Sequence, residues 1–165
     1  MKKEHAVIYP GTFDPITIGH LNIIKRALRI FDKVIIAVAE DTTKKTLFTI
    51  EERVQMIKET LKGYKNVEVE TFKGLLMEYA KKKRVHTILR GLRTVQDFEY
   101  ELQMALANKK LNPNCETIFM MTEGAYSYFS SSLIKEIAHL KGNIKDMVPP
   151  PVEKMIKKKF FNKEV

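Results

Sequence analysis

Five short runs rich in β-branched residues alternate with amphipathic segments along most of this chain, and that alternation fixes the fold class. The runs are Ala6–Tyr9, Lys33–Ala39, Val67–Thr71, His86–Leu89 and Thr117–Met121. Helical patterns fall at Gly19–Ile30, Ile50–Lys62, Leu75–Lys83, Thr94–Lys110 and Ser131–Leu140. Strands separated by helices need right-handed crossovers and build a parallel sheet covered on both faces. Val34 to Ala39 is apolar without alternation, as a strand buried on both sides should be. Thr49-Ile50-Glu51-Glu52 has capping-box spacing, in which Thr49 and Glu52 each satisfy an orphan backbone donor. The expected fold is α/β: one doubly wound domain over residues 1–165, with a five-stranded parallel sheet. Pro149-Pro150-Pro151 is expected to stop helix formation, and Val152–Phe161 to form a short basic helix in a C-terminal tail, residues 149–165. The tail is open to two readings, packed on another subunit or mobile.

Cysteine count and charge narrow the class. Cys115 is the single cysteine, which excludes a disulfide-built scaffold. The run Val34–Ala39 is far short of the ~20 apolar residues a spanning helix needs. The basic start, Met1 to His5, leads into too short an apolar stretch for a signal peptide, so a cytoplasmic protein without membrane partners is expected. A formal net charge of +9 favours anionic partners: nucleic acid, acidic lipid or a phosphorylated small molecule. Much of it sits at Lys81-Lys82-Lys83-Arg84 and between Lys154 and Lys163, which read as solvated helix faces or ends. A nucleic-acid module would need aromatic platforms flanked by basic residues. The aromatic residues instead fall at core-like or strand-end positions, so no nucleic-acid partner is expected.

Ligands of an open parallel sheet bind beyond the carboxyl ends of its strands, where strand order reverses. The first such turn, Tyr9 to His20, contains neither a dinucleotide fingerprint nor a P-loop. It does carry Gly11, Thr12, Phe13 and Gly19, and it sets His20 at a helix start, where free amides attract phosphate. A plain helix cap with a surface histidine would look the same. After the fourth run, Arg90-Gly91-Leu92-Arg93 offers guanidinium forks for phosphate oxygens. Ion pairs with Asp97, Glu99 or Glu101 would equally occupy them. After the fifth, Tyr126-Ser127-Tyr128-Phe129-Ser130-Ser131-Ser132 leads serines into a helix, as phosphate ligands or as an N-cap. Lys44 and Lys45 lie in the loop after the second run. Phosphate ligands at several strand ends together point to a polyphosphate crevice.

Assembled, these residues resemble the bacterial phosphopantetheine adenylyltransferases of the nucleotidylyltransferase superfamily. The resemblance runs from about Ala6 to Asp146. Its motifs are Y-P-G-T-F-D-P-I-T-x-G-H at Tyr9–His20, T-x-E-E-R at Thr49–Arg53, R-G-L-R at Arg90–Arg93, D-F-E-Y-E at Asp97–Glu101 and S-S-S-L-x-K-E at Ser130–Glu136. The wider superfamily has H-x-G-H where Thr17 replaces the first histidine here, a departure shared by the phosphopantetheine branch. Tyr126 and Leu76 stand where some members have tryptophan and methionine.

The resemblance implies a Rossmann-like fold and transfer of AMP from ATP to 4'-phosphopantetheine, giving dephospho-coenzyme A and pyrophosphate. It also implies a homohexamer, Mg²⁺ accompanying ATP, and feedback occupation of the site by coenzyme A. By resemblance, His20 stabilises the transition state, with Lys44 and Arg93 also catalytic. ATP would lie against Thr12, Phe13, His20, Gly91, Leu92, Arg93, Glu101 and the run Tyr126, Ser127, Tyr128, Phe129, Ser130, Ser131, Ser132. Thr12, Lys44 and Arg90 would hold the acceptor phosphate, with Leu76 along the pantetheine arm. The sequence shows no cluster with metal-ligand spacing. A nucleotidylyltransferase using nicotinamide mononucleotide or a CTP donor is the nearest rival reading.

Overall fold

A computed structural model describes residues 5–161. In chain order the elements are β1 (Ala6–Gly11), α1 (Ile18–Ala27), β2 (Lys33–Ala39), α2 (Ile50–Thr60), β3 (Val67–Phe72), α3 (Leu76–Lys83), β4 (Thr87–Leu92), α4 (Val95–Leu111), β5 (Glu116–Met121), α5 (Ser131–His139) and α6 (Pro150–Phe161). A short 3-10 turn, Gly124–Tyr126, precedes α5. The five strands form one parallel sheet in the order β3-β2-β1-β4-β5. The fold is α/β and Rossmann-like, and strand order reverses between β1 and β4.

The sheet is buried on both faces, which explains the unbroken apolar run of β2. Val7, Tyr9, Val34, Ile36, Val38 and Leu89 face the larger core with α1, α2, α5 and α6. Ile8, Ile35, Ala37 and Ile88 face a smaller one with Met77 and Ala80 of α3. Cys115 closes that smaller core, where burial raises its thiol.

Three boundaries differ from the sequence expectation, each for a physical reason. β1 runs to Gly11 and β4 to Leu92, so Pro10 and the Arg90-Gly91-Leu92 segment lie within strands rather than after them. β1 pairs with β2 along its whole length but with β4 only at Ile8↔Ile88. Two residues on, Pro10 has no N–H for a ladder, and the Arg90 guanidinium donates to the Pro10 carbonyl at 2.7 Å instead. The seam between β1 and β4 is therefore parted at its carboxyl end. At the third boundary the prolines do not stop a helix. Pro150 and Pro151 open α6, where their missing N–H groups would be unpaired anyway.

The tail through Phe161 packs on its own chain. Val152 and Ile156 are fully buried, and Lys159 reaches Glu52 of α2 at 2.9 Å. Lys163 lies outside the described residues. The capping box at Thr49 and Glu52 is present in both directions. At the end of α3, Lys81 and Lys83 pair with Glu78 and Glu70. The aromatic residues are less interior than the sequence implied, since Tyr100 is 63% and Tyr128 77% exposed.

Candidate functional site

The parted seam, the start of α1 and the start of α5 come together at the carboxyl end of the sheet, where Arg90 meets the Pro10 carbonyl, Ser131 the Pro15 carbonyl, and Gly19 lies against Tyr126. After β1 the chain turns at Phe13, which holds φ at 48°, a left-handed conformation that costs a non-glycine residue about 1 kcal/mol or more. Its ring packs edge-on between Tyr9, at 5.4 Å, and His20, at 5.1 Å. That ring lies so close over the backbone that a Cβ at Gly11 would come within 2.9 Å of it. Gly11→Ala should therefore displace the ring that supports His20. A shift of this kind can lower turnover between about 10- and 100-fold, measurable as kcat at saturating substrates. Unchanged kcat would show that His20 does not depend on the Phe13 ring.

His20 sits in the first turn of α1 and plays the part a glutamate takes in most capping boxes. The Thr17 amide donates to His20 Nδ1 at 3.0 Å, the Thr17 hydroxyl lies 3.1 Å from the same nitrogen, and the His20 amide donates back to that hydroxyl. Because a backbone N–H points at Nδ1, that nitrogen carries the lone pair and the neutral ring bears its proton on Nε2. Burial, then the charges of Arg93 and Arg90, push His20 down to about 4. At neutral pH the ring is thus an uncharged Nε2–H donor. A ring-nitrogen titration by NMR should find the Nε2–H tautomer at pH 7 and protonation only near pH 4. A midpoint near 6.5 would contradict this environment.

Arg90 leaves β4 and meets Glu101 of α4 in a two-point fork, both contacts 2.6 Å. Burial is the largest influence and opposes its charge, but the Glu101 hydrogen bonds and the Glu101 charge, with smaller help from Tyr9 and Tyr100, together outweigh it and raise Arg90 further. Arg93 forks onto Asp97 at 3.1 and 3.2 Å. The ion-pair partners that the sequence left open are therefore Glu101 and Asp97, and the guanidiniums are presented already oriented. Gly91 is tightly enclosed, since a Cβ there would lie 3.3 Å from Ile23 and 3.4 Å from the Tyr9 hydroxyl. Leu92 is buried, so only its backbone can face a ligand.

At the other wall, Ser130 caps α5 by accepting from the Leu133 amide. Ser131 donates to the Pro15 carbonyl at 2.7 Å, binding α5 to the loop before α1. Ser132 is exposed, and Tyr126 is half-buried with its carbonyl close to Gly19. Ser127 donates to the Gly124 carbonyl, and Phe129 packs against the larger core. Tyr128 projects into solvent. Lys44 stands exposed on the loop after β2, its amide bonded to the Thr42 hydroxyl. Leu76, the first residue of α3, packs against the smaller core. No hydrogen bond or ring contact among the described residues joins Lys44, Leu76, Ser132 or Tyr128 to the His20 cluster.

Three supporting residues stand as letters of the sequence motifs but were given no role there. Arg53 is 3% exposed and donates from Nη1 to the carbonyls of Thr12, at 2.7 Å, and Ala39, at 3.1 Å. Burial lowers its pKa. It falls on the apolar stripe of α2 with Ile50 and Ile57, and a charge on that stripe was the available signal. Asp14, 4% exposed, accepts from the Leu47 and Phe48 amides at 2.8 and 2.9 Å. Lys135 of α5 completes its coordination at 2.7 Å.

An oriented donor histidine at a helix start, two forked arginines and a serine-capped helix surround a Rossmann switch point, an arrangement suited to holding a polyphosphate. The sequence matches the cytidylyltransferase-like family over residues 8–137. A phosphopantetheine adenylyltransferase of Clostridium botulinum (strain 657 / Type Ba4) is 55% identical over 96% of this chain and 97% of that protein. One from Caldanaerobacter subterraneus subsp. tengcongensis is 55% identical over 94% of this chain and 97% of its own. The chain belongs to the phosphopantetheine adenylyltransferase family. Its fold is shared by a bifunctional NMN adenylyltransferase/ADP ribose pyrophosphatase of Francisella tularensis, crystallised with AMP and a manganese ion. That likeness has TM-score 0.72 at 18% identity, covering 98% of this chain and 50% of the other.

Proposed function

We propose that this chain transfers AMP from ATP to 4'-phosphopantetheine, forming dephospho-coenzyme A and pyrophosphate. The observation that carries the reading is the Thr17 amide donating to His20 Nδ1 at a helix start, which leaves Nε2–H as the ring's donor; membership of the phosphopantetheine adenylyltransferase family supports it. An oxygen of the acceptor phosphate attacks the α-phosphorus in line. The bond from that phosphorus to the bridging oxygen breaks, and pyrophosphate leaves with the electron pair. The acceptor is itself an ionised nucleophile, so no protein base and no adenylyl-enzyme is needed. Catalysis then rests on positioning and on donors aimed at developing charge.

In this reading His20 Nε2–H and the backbone around Thr12 and Phe13 stabilise the α-phosphate. Arg93 and the start of α5, with Ser130, Ser131 and Ser132, take the β- and γ-phosphates. Gly91, Leu92, Glu101 and the Tyr126–Phe129 segment border the nucleoside. Thr12, Lys44 and Arg90 hold the acceptor phosphate, and Leu76 flanks the pantetheine arm. Among the described residues no three His, Cys, Asp or Glu side chains are grouped to hold a metal ion. In this reading Mg²⁺ enters as part of the substrate, Mg·ATP, ringed mainly by phosphate oxygens and water.

The same reading takes residues 1–165 as one catalytic domain and the enzyme as cytoplasmic. It makes coenzyme A, which shares the pantetheine arm, a competitor for the site. Among the described residues no helix is long and apolar enough to cross a membrane. A homohexamer is supported by α4 and β5, which expose Val95, Leu106 and Met121 at 56% or more, an apolar surface that association would cover.

The test is pyrophosphate release from Mg·ATP with 4'-phosphopantetheine, beside nicotinamide mononucleotide and a CTP-dependent control. Release dependent on phosphopantetheine, with dephospho-coenzyme A identified by mass, is expected. Turnover only with another acceptor or donor would overturn the substrate and keep the nucleotidyl-transfer site.

A further inference from the structure

Asp14 is nearly inaccessible, yet it is the meeting point of three separate parts of the site. Its own loop carries Phe13 and leads to His20. Its two carboxylate oxygens accept the Leu47 and Phe48 amides, at 2.8 and 2.9 Å, which anchors the end of the loop bearing Lys44. Its remaining partner is the Lys135 ammonium at 2.7 Å, one turn along α5 from Ser131 and Ser132. A buried carboxylate with two amide donors and one cation is fully occupied. Arg53 also feels the Asp14 charge but directs its hydrogen bonds to the Thr12 and Ala39 carbonyls, so losing the Lys135 ammonium would weaken the compensation of Asp14 and leave its two amides free to shift.

We propose that Lys135 and Asp14 are positioning residues, a strut that sets the Lys44 loop relative to the serine end of α5. Neither touches substrate: Lys135 acts on the acceptor phosphate through Asp14, the Leu47 and Phe48 amides and the loop. This rests on Lys44 being an acceptor-phosphate ligand, as proposed above. It extends that reading by naming what holds an otherwise exposed lysine in register with the nucleotide end of the crevice.

The experiment is a double-mutant cycle read as KM for 4'-phosphopantetheine and KM for ATP, with thermal midpoints as the check on folding. Lys135→Met keeps the aliphatic stem and removes the charge. It should raise acceptor KM about tenfold while ATP KM stays within about twofold, since a lost ligand alignment acts on one substrate. Lys135→Arg should restore most of the acceptor KM. Lys135→Gln, which still offers Asp14 a donor, should fall between and serves if the methionine variant folds poorly. In a Lys44→Ala background, Lys135→Met should add little, because the strut then positions nothing. If Lys44→Ala weakens the acceptor but Lys135→Met is neutral, or the two effects add, the strut is refuted and the Lys44 assignment stands. If Lys44→Ala leaves acceptor KM unchanged, the Lys44 assignment itself falls and takes the strut with it. Equal rises in both KM values, unrescued by arginine, would show a merely structural ion pair.

Discussion

His20→Ala is expected to lower kcat by roughly 100- to 1,000-fold, the range found when one oriented donor to developing charge is removed. The Thr17 amide fixes the ring's tautomer, and burial, with Arg93 and Arg90 behind it, keeps it neutral until about pH 4. The lost interaction is then a hydrogen bond aimed at the α-phosphate, so kcat should fall more than KM for either substrate. His20→Asn, which keeps a donor, should retain part of the rate. A kcat near the unsubstituted value in His20→Ala would remove His20 from the transition state.

The same environment gives a stability signature with a definite sign. In the unfolded chain a histidine titrates near 6.5, and in the fold His20 does so near 4. Between those values the unfolded chain binds the extra proton, so the His20 contribution to stability is complete above about pH 6.5 and is lost as pH falls toward 4. Thermal midpoints of the unsubstituted protein and His20→Asn should therefore change relative to one another across that window. A constant difference would mean that the two states titrate alike.

Glu101→Ala should be the most damaging single change to stability. Glu101 is 9% exposed and both its oxygens are taken by Arg90. Removing one partner of a buried pair strands the other charge, at roughly 3–5 kcal/mol. The Arg90 side chain is 30% exposed and can recruit water, which puts the expected loss near the low end, about 3 kcal/mol. For a chain this size that is a fall in Tm of roughly 6–12 °C. Replacing Arg90 and Glu101 together should destabilise less than the sum of the single changes, because neither charge is then left alone. A Tm unchanged in Glu101→Ala would show the fork to be solvated.

The fold was legible because its signals are local. β2 has the bounds its apolar run implies, Lys33–Ala39, and the Thr49 capping box is written in four consecutive residues. Strand ends were harder to see. Pro10 and the Arg90-Gly91 pair look like turn residues, yet they lie in strands because Pro10 pairs with Ala37 of β2 and Arg90 and Gly91 pair with Phe119 and Met120 of β5. The prolines at 149–151 punctuate a chain in either sense, and only packing against α2 decides that they begin a helix. Among site residues, His20 and Ser130 sit at helix starts that sequence alone locates. Arg53, Asp14 and Lys135 could not be found that way, since their partners lie 41, 33 and 121 residues distant. Nor could sequence decide whether Arg90 was paired, because Glu99 and Glu101 differ only by which side of α4 they occupy.

The single bridge at Ile8↔Ile88 also acts as a depth gauge. On its carboxyl side Pro10 offers β4 no N–H, and the Arg90 guanidinium takes the Pro10 carbonyl in place of a ladder bond, so the depth at which the ladder ends is set by the position of one imino acid. Each two-residue step along a strand is about 6.6 Å, comparable to the size of a phosphate group. Moving the proline one such step would make the slot a phosphate deeper or shallower, while the helices that carry the ligands stayed where they are.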